Sequence, residues 1–276
     1  MIKPVIVCIA KYEEQYIEQF VKYHLDIGFD KIYIYDNEDV PKYKDLLVDY
    51  SDKIIVNHLP FNNYYEPVQF IALEHFLLNY LNNDDITHVA HIDIDEYIVL
   101  KKHKNIIDFI KEYFVGDCAG ICMNWRFFGL SSNNINKYTL NPKIPLALRF
   151  IECDEFGDKH IKTLFDKKHF ESWTWSPHHI KPKNGYHIKS TNGKIVDGPY
   201  NENIDCSVIQ LNHYKCKSFE EYKYTHSRGR CDILPNDEDQ NESCLQRYDR
   251  HNKYESEDLT LFDYYSGLIE PFHIFD

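Results

Sequence analysis

THVAHIDIDEYI, residues 87–98, begins as an apolar, strand-like run and ends in three carboxylates, Asp93, Asp95 and Glu96, within four positions. Clustered anions repel, and each prefers bulk water to the end of a buried strand. Read as one strand over 88–95, the segment points Asp93 and Asp95, at i and i+2, to the same side. Two acids held that way destabilise each other unless a divalent cation lies between them. Oxygen donors suit magnesium or manganese, and an added imidazole favours manganese. The alternative reading has Asp93 and Asp95 capping a neighbouring helix while Glu96 is solvated.

The flanking segments place this acidic end in a sheet. PVIVCIA (4–10), KIYIYD (31–36), KIIVNHL (53–59) and CAGICMNWRFF (118–128) read as further buried strands. Between them, EEQYIEQFVKYHLDIG (13–28), PVQFIALEHFLLNYL (67–81) and NIIDFIKEYF (105–114) carry helical patterns, with Gly28 as a stop and Pro67 in a first turn. This alternation predicts an α/β fold with a mainly parallel sheet covered by helices on both faces. Ligands of such sheets bind beyond the carboxyl ends of the strands, where Asp36, Asp93, Asp95 and the Tyr12–Glu14 turn all fall. After residue 129, SSNNINKYTLNPKIP (131–145) reads as a loop, LALRFIE (146–152), HIKTLFD (160–166) and CSVIQLNHY (206–214) as strands, and PNDEDQNES (235–243) as an acidic loop. Ser218 with Glu221 three residues on is a capping-box start for a helix.

Composition narrows the function. With 31 basic and 44 acidic residues the net charge is −13, which argues against a nucleic-acid partner. A small anionic ligand then requires a metal or local cations. Eight cysteines without a CxxC pair argue against structural zinc and for buried reduced thiols, hence a cytoplasmic setting. No run approaches the ~20 apolar residues of a membrane span, so a soluble protein is expected.

KYEEQYIEQFVKYHLDIGFDKIYIYDNED (11–39), HIDIDEYI (91–98), NWRFFG (124–129), HIKT (160–163), PHHI (177–180) and LNHYKCKSFEEYKYTHSRGR (211–230) occur in that order. The series resembles glycosyltransferase family 92 and its DUF23-type and glycosyl transferase family 2-like relatives, from about residue 8 to 230. The resemblance implies a GT-A fold: a Rossmann-like sheet with a metal-binding DxD and a C-terminal α+β elaboration. It implies one domain over 1–276, with a nucleotide-sugar half (1–128) and an acceptor half (129–276). On that analogy Asp93, Asp95 and His213 hold Mn2+ (or Mg2+), and Lys11, Glu13, Asp36 and Gln69 join the two aspartates around the donor, with Asp36 on the uracil edge. Trp125, Arg126, Lys162, His178 and Arg228 are candidate acceptor or phosphate contacts. Trp173 and Trp175 are expected on one strand face, and His178 and His179 along the cleft. Inverting transfer needs a carboxylate base, for which Asp154 and Glu155 are the candidates. Tyr12 departs from the Asn usual in the family's KNE segment, Leu148 from an acid and Thr225 from a lysine.

The implied activity is metal-dependent transfer of a hexose from a UDP-sugar, UDP-galactose first, to a hydroxyl of a glycan, glycoprotein or glycolipid. A metal-dependent phosphohydrolase or nucleotidyltransferase and a non-catalytic nucleotide-sugar-binding module are the competing classes.

Overall fold

The computed structural model describes residues 1–60, 66–130, 141, 143–229, 231, 243–252 and 254–268. Strands β1 (Pro4–Ala10), β2 (Lys31–Asp36) and β3 (Ile54–His58) run parallel, and β4 (His88–His91) joins β1 on its other side, also parallel. Strands β1 and β2 are apolar runs because both their faces are buried. On β1, Ile6, Cys8 and Ala10 enter one core and Val5 and Val7 the other; on β2, Ile32 and Ile34 oppose Tyr33 and Tyr35 in the same way. The first core is covered by α1 (Ile17–Asp26) and α4 (Ile106–Tyr113), which insert Ile17, Phe20, Val21, Ile106 and Phe109. The second is covered by α3 (Val68–Phe76), through Ala72, Leu73 and Phe76. A short helix α2 (Tyr43–Leu46) follows β2. Burying each large apolar side chain stabilises the fold by about 1.5–3 kcal/mol.

The second half of the chain extends this sheet. After β5 (Glu96–Leu100) comes the long β6 (Cys118–Gly129); the short helix α5 (Leu146–Arg149) and β7 (Glu152–Cys153) precede β8 (Ile161–Asp166). Strand β8 lies antiparallel between β4 and β6. Gly120 of β6 allows that contact, since a Cβ there would meet the Leu164 carbonyl oxygen at 2.8 Å and Phe165 Cα at 3.2 Å. A hairpin of β9 (Phe170–Trp173) and β10 (Ile180–Pro182) and the short β11 (His187–Lys189) precede β12 (Ile209–Lys217), which is parallel to β6 and antiparallel to β5. Helices α6 (Phe219–His226) and α7 (Cys244–His251), strand β13 (Ser256–Glu257) and helix α8 (Thr260–Leu268) complete the described chain. The α/β sheet with helices on both faces is as expected from the sequence, including the Ser218–Glu221 capping box that opens α6.

Four expectations need correction. The strand expected over 146–152 opens as a helical turn, Leu146–Arg149, behind Pro145, and only Glu152 lies in a strand, because so short a segment has no period to separate buried strand from buried helix. The helix over 67–81 is α-helical to Phe76 and widens into a π turn at Leu77–Leu81. Trp175 does not share a strand face with Trp173: it lies beyond β9 and is exposed, whereas Trp173 packs on Phe165 and Phe170. The strand over 88–95 stops at His91, with a turn before β5. The acidic loop at 235–243, except Ser243, and most of 131–145 lie outside the described residues.

His24 of α1 gives this core an acid-sensitive element. Its Nδ1 donates to the Phe20 carbonyl (2.8 Å) and its Nε2 accepts from the Ile98 amide (3.3 Å), which fixes a neutral ring. Burial lowers its pKa from 6.5 to about 3, against a smaller opposing effect of the Phe20 carbonyl. The unfolded chain therefore binds a proton that the native chain refuses, so His24's contribution is complete above pH 6.5 and declines as pH falls toward 3. Denaturant melts of wild type should lose about 2 kcal/mol from this group between pH 7 and pH 5, and His24→Gln should remove that part of the slope.

Candidate active site

The acidic segment leaves β4 through a turn rather than as a strand. The Glu96 carboxylate accepts the Asp93 amide (2.7 Å) while the Asp93 carbonyl accepts the Glu96 amide (3.0 Å). Side-chain alternation therefore does not orient the two aspartates; the turn does. Asp93 faces Lys162 at the start of β8 (3.2 Å), and Asp95 faces Lys217 (3.4 Å) and His213 Nε2 (3.6 Å) of β12.

Charge balance decides which of these groups is ionised. Burial pushes the Asp95 carboxyl up, but Lys217, His213 and Arg228 outweigh it and hold the group below the ordinary carboxylate range. For Asp93 the cost of burial is likewise exceeded, by Lys162 and His91. Burial also works against the Lys162 ammonium, yet Asp93 and Glu96 (3.7 Å) keep its pKa above normal. Glu96 moves the other way: fully buried beside Asp93 and Asp95, it is pushed well up despite Lys162. His213 is neutral, with burial lowering its pKa to about 4.

This arrangement bears on a metal. Asp95 and His213 form an ionised carboxylate and a neutral imidazole side by side, a donor pair suited to manganese. His213 Nδ1 and Glu96 Oε1, buried 4.0 Å apart, have no hydrogen-bond partners. Asp93, however, is directed at Lys162, and among the described residues no three His, Cys, Asp or Glu side chains are grouped to hold a metal ion.

Several residues expected from sequence to face the donor converge on the same rim. Gln69 at the start of α3 reaches both Asp93 Oδ1 and His91 Nε2 at 3.4 Å. Glu13, buried after β1, pairs with Arg228, which also donates to the Lys11 carbonyl; the Lys11 ammonium extends to Asp39 (3.9 Å). Burial raises the pKa of Glu13 against the pull of Arg228 and Lys217. Tyr12 has φ +59°, a conformation that suits the asparagine it replaces, and its ring stacks on Tyr224 at 5.2 Å. Asp36 is fully buried, with both oxygens taken by the amides of Glu38, Lys42 and Tyr43. It shapes the loop before α2, with Oδ1 accepting one amide and Oδ2 accepting two.

The acceptor expectations change more. Lys162 is wholly buried beneath the acids as their counter-ion, not a surface contact. Arg228 pairs with Glu13. Arg126 points to the opposite face of β6 from Trp125 and binds Asp258 (2.9 Å), tying down the segment before α8. Trp125 lies in the site, with its ring 4.6 Å from His213, 5.0 Å from His160 and 5.1 Å from His178. His178 is held by the Ile161 carbonyl (2.9 Å), and burial lowers its pKa to about 3; His179 bonds the Val196 carbonyl instead. Asp154 accepts the Phe127 amide (3.1 Å), and burial, opposed by Arg126, raises its pKa to about 7; Glu155 is exposed. Glu96, His91 and Lys217 belong to the site although no role was assigned to them from sequence. Lys217 could have been sought in the KS pair that follows LNHY, four residues after His213.

The model of glycosyltransferase family 92 matches residues 3–258. The chain belongs to glycosyltransferase family 92. No curated protein matches this family 92 chain. Among solved structures it is similar to TarS 1–349 of S. aureus, at 14% identity over 60% of this chain and 47% of that one, with a TM-score of 0.34. It is similar also to the glycosyltransferase GlyE of Streptococcus pneumoniae TIGR4, at 13% identity over 45% of this chain and 30% of that one (TM-score 0.29). A UDP-glucose pyrophosphorylase complexed with UDP-glucose is 12% identical over 83% of this chain and 98% of that one (TM-score 0.30). The family 92 chain thus covers less than half the length of the TarS and GlyE chains, and its assignment rests on the family match. No described helix is long and apolar enough to cross a membrane.

Proposed function

We propose that this family 92 chain transfers a hexose from a UDP-sugar, UDP-galactose as first choice, to a hydroxyl of a glycan, glycoprotein or glycolipid, with inversion at the anomeric carbon. The observation that carries the reading is the meeting of Asp95 and His213, 118 positions apart in sequence, at 3.6 Å on the rim where Asp93, Gln69 and Glu13 also gather. Asp95 and His213, joined by Asp93, are the residues that would hold Mn2+ (or Mg2+). Such an ion, when bound, neutralises charge on a diphosphate leaving group. Lys162 and Lys217 keep the carboxylates ionised, and Arg228 fixes Glu13 and the backbone at Lys11 along the nucleotide side. A reducing, cytoplasmic setting belongs to the proposal and is supported by eight free thiols, five of them buried.

A panel of UDP-, GDP- and CMP-sugars incubated with manganese should release UDP and move sugar to acceptor. Release of inorganic phosphate instead would favour the hydrolase class. Independently of turnover, calorimetric titration of wild type with manganese should show binding at one site that His213→Ala weakens about 10–100-fold. Equal heats from both proteins would remove His213 from the proposed ligand set.

A further inference from the structure

Residues 158–160, Asp-Lys-His, lead into β8 immediately before Lys162. The Asp158 carboxylate accepts the His160 amide (2.8 Å) and, through the same oxygen, the His160 Nδ1. A proton on Nδ1 is the state this bond selects, which leaves the Nε2 lone pair available. The dyad is fixed to β6 by three more bonds. The Asp158 amide donates to the Trp125 carbonyl (2.8 Å), the Asn124 side chain donates to the Asp158 carbonyl (2.9 Å), and the Trp125 amide donates to the His160 carbonyl (3.0 Å). Burial of Asp158 is outweighed by its bonds to His160, so it is held as the anion.

Position links the dyad to the site. His160 and Lys162 are two residues apart on an extended segment and share a sheet face, and Lys162 holds Asp93. Trp125 lies flat against His160 (5.0 Å, 19°) and meets His213 edge-on (4.6 Å, 62°), so one indole touches both imidazoles. On its outer side His160 meets the edge of Tyr200 (4.8 Å), a half-exposed ring with Lys159 over it. Thus a partly exposed imidazole, backed by a carboxylate, lies between a buried and an exposed aromatic ring beside the donor rim. Asp154 has a different setting: it accepts the Phe127 amide, and its carbonyl holds Arg126, whose guanidinium reaches Asp258 on the far face of β6.

We infer that His160, positioned by Asp158, is the base that deprotonates the acceptor, and that Trp125 and Tyr200 flank an acceptor hydroxyl carried on a sugar ring. The inference rests on the transferase reading above. In the step, the acceptor O–H proton passes to His160 Nε2 and the oxygen lone pair forms a bond to the donor's anomeric carbon. The bond from that carbon to the diphosphate oxygen breaks, its electron pair leaving with the nucleoside diphosphate. Asp158 balances the imidazolium, which then returns its proton to solvent.

With the sugar nucleotide that wild type turns over, His160→Gln should lower transfer kcat about 10²–10⁴-fold while the donor KM stays within about threefold. Asp158→Asn should lower kcat about 10²-fold or more with both KM values little changed. Imidazole added to His160→Ala should restore part of the lost rate, a response that a purely structural histidine would not give. Tyr200→Ala, at a half-exposed position outside the core, should raise the acceptor KM about tenfold and leave the donor KM alone. A folded His160→Gln protein that transfers within fivefold of wild type, or a Tyr200→Ala protein with an unchanged acceptor KM, overturns the inference. Wild type that turns over no sugar nucleotide overturns the transferase reading, and the base with it.

Discussion

Asp95→Asn is expected to reduce transfer kcat/KM by about 10³-fold. The substitution keeps the shape of the side chain and removes its charge, which two buried groups depend on. Lys217, packed over the Tyr16 ring at 4.8 Å, has the Asp95 carboxylate 3.4 Å away, and His213 meets it from the other side at 3.6 Å. Without the anion, the rim carries the ammonium of Lys217 and the guanidinium of Arg228 against Glu13, which burial already disposes toward protonation. A cation then meets an electropositive rim. Nucleotide release assays on the variant, paired with manganese titration, separate the two contributions: loss of both supports Asp95 as a ligand, whereas a variant keeping a tenth of wild-type activity would remove it from the reaction.

Lys162→Met should destabilise the fold by about 1–3 kcal/mol at pH 7.5, the cost of leaving the part-buried Asp93 carboxylate without its charged partner. The ammonium lies beneath the turn, 3.2 Å from Asp93 and 3.7 Å from Glu96, with 1% of its side chain exposed. Methionine fills a similar volume, so the loss is electrostatic. Asp93 is ionised only because Lys162 and His91 overcome its burial, so the variant's Asp93 should take up a proton more readily. The sign follows: the penalty is largest at high pH, where Asp93 is forced to ionise, and shrinks as the pH is lowered and it is protonated. Urea melts of both proteins across pH 5–8.5 measure it. Manganese should raise the midpoint of the variant more than that of wild type, since the ion competes with no lysine there; a smaller rise would separate Asp93 from the proposed ligands.

The parts of this molecule that sequence made legible are those whose pattern has a local cause. Strands β1 and β2 are buried on both faces, so they are written as apolar runs, and the acids after β4 stand out against them. Ser218 and Glu221 form their capping box from neighbours three apart. Where the cause is distant, the reading failed. Nothing near Lys162 announces that it will lie under a turn 69 residues earlier, nor does Arg126 reveal that its partner is Asp258, 132 residues on. The DIDE turn was missed for a subtler reason. Alternating apolar and acidic residues have the period of a strand, while the bond from the Asp93 amide to the Glu96 carboxylate, which ends the strand, depends on a glutamate being desolvated.

The reversed direction of β8 has a consequence for how this chain diversifies. The parallel strands present their last residues to the rim, whereas β8 presents its first, so the chain reaches the rim there from outside the sheet through residues 152–160. Lengthening or exchanging residues 155–157, between β7 and the Asp158–His160 pair, disturbs no ladder and leaves the acid-bearing turn untouched. Under the proposed assignment, selection can rewrite what receives the sugar while the acid-bearing turn stays fixed.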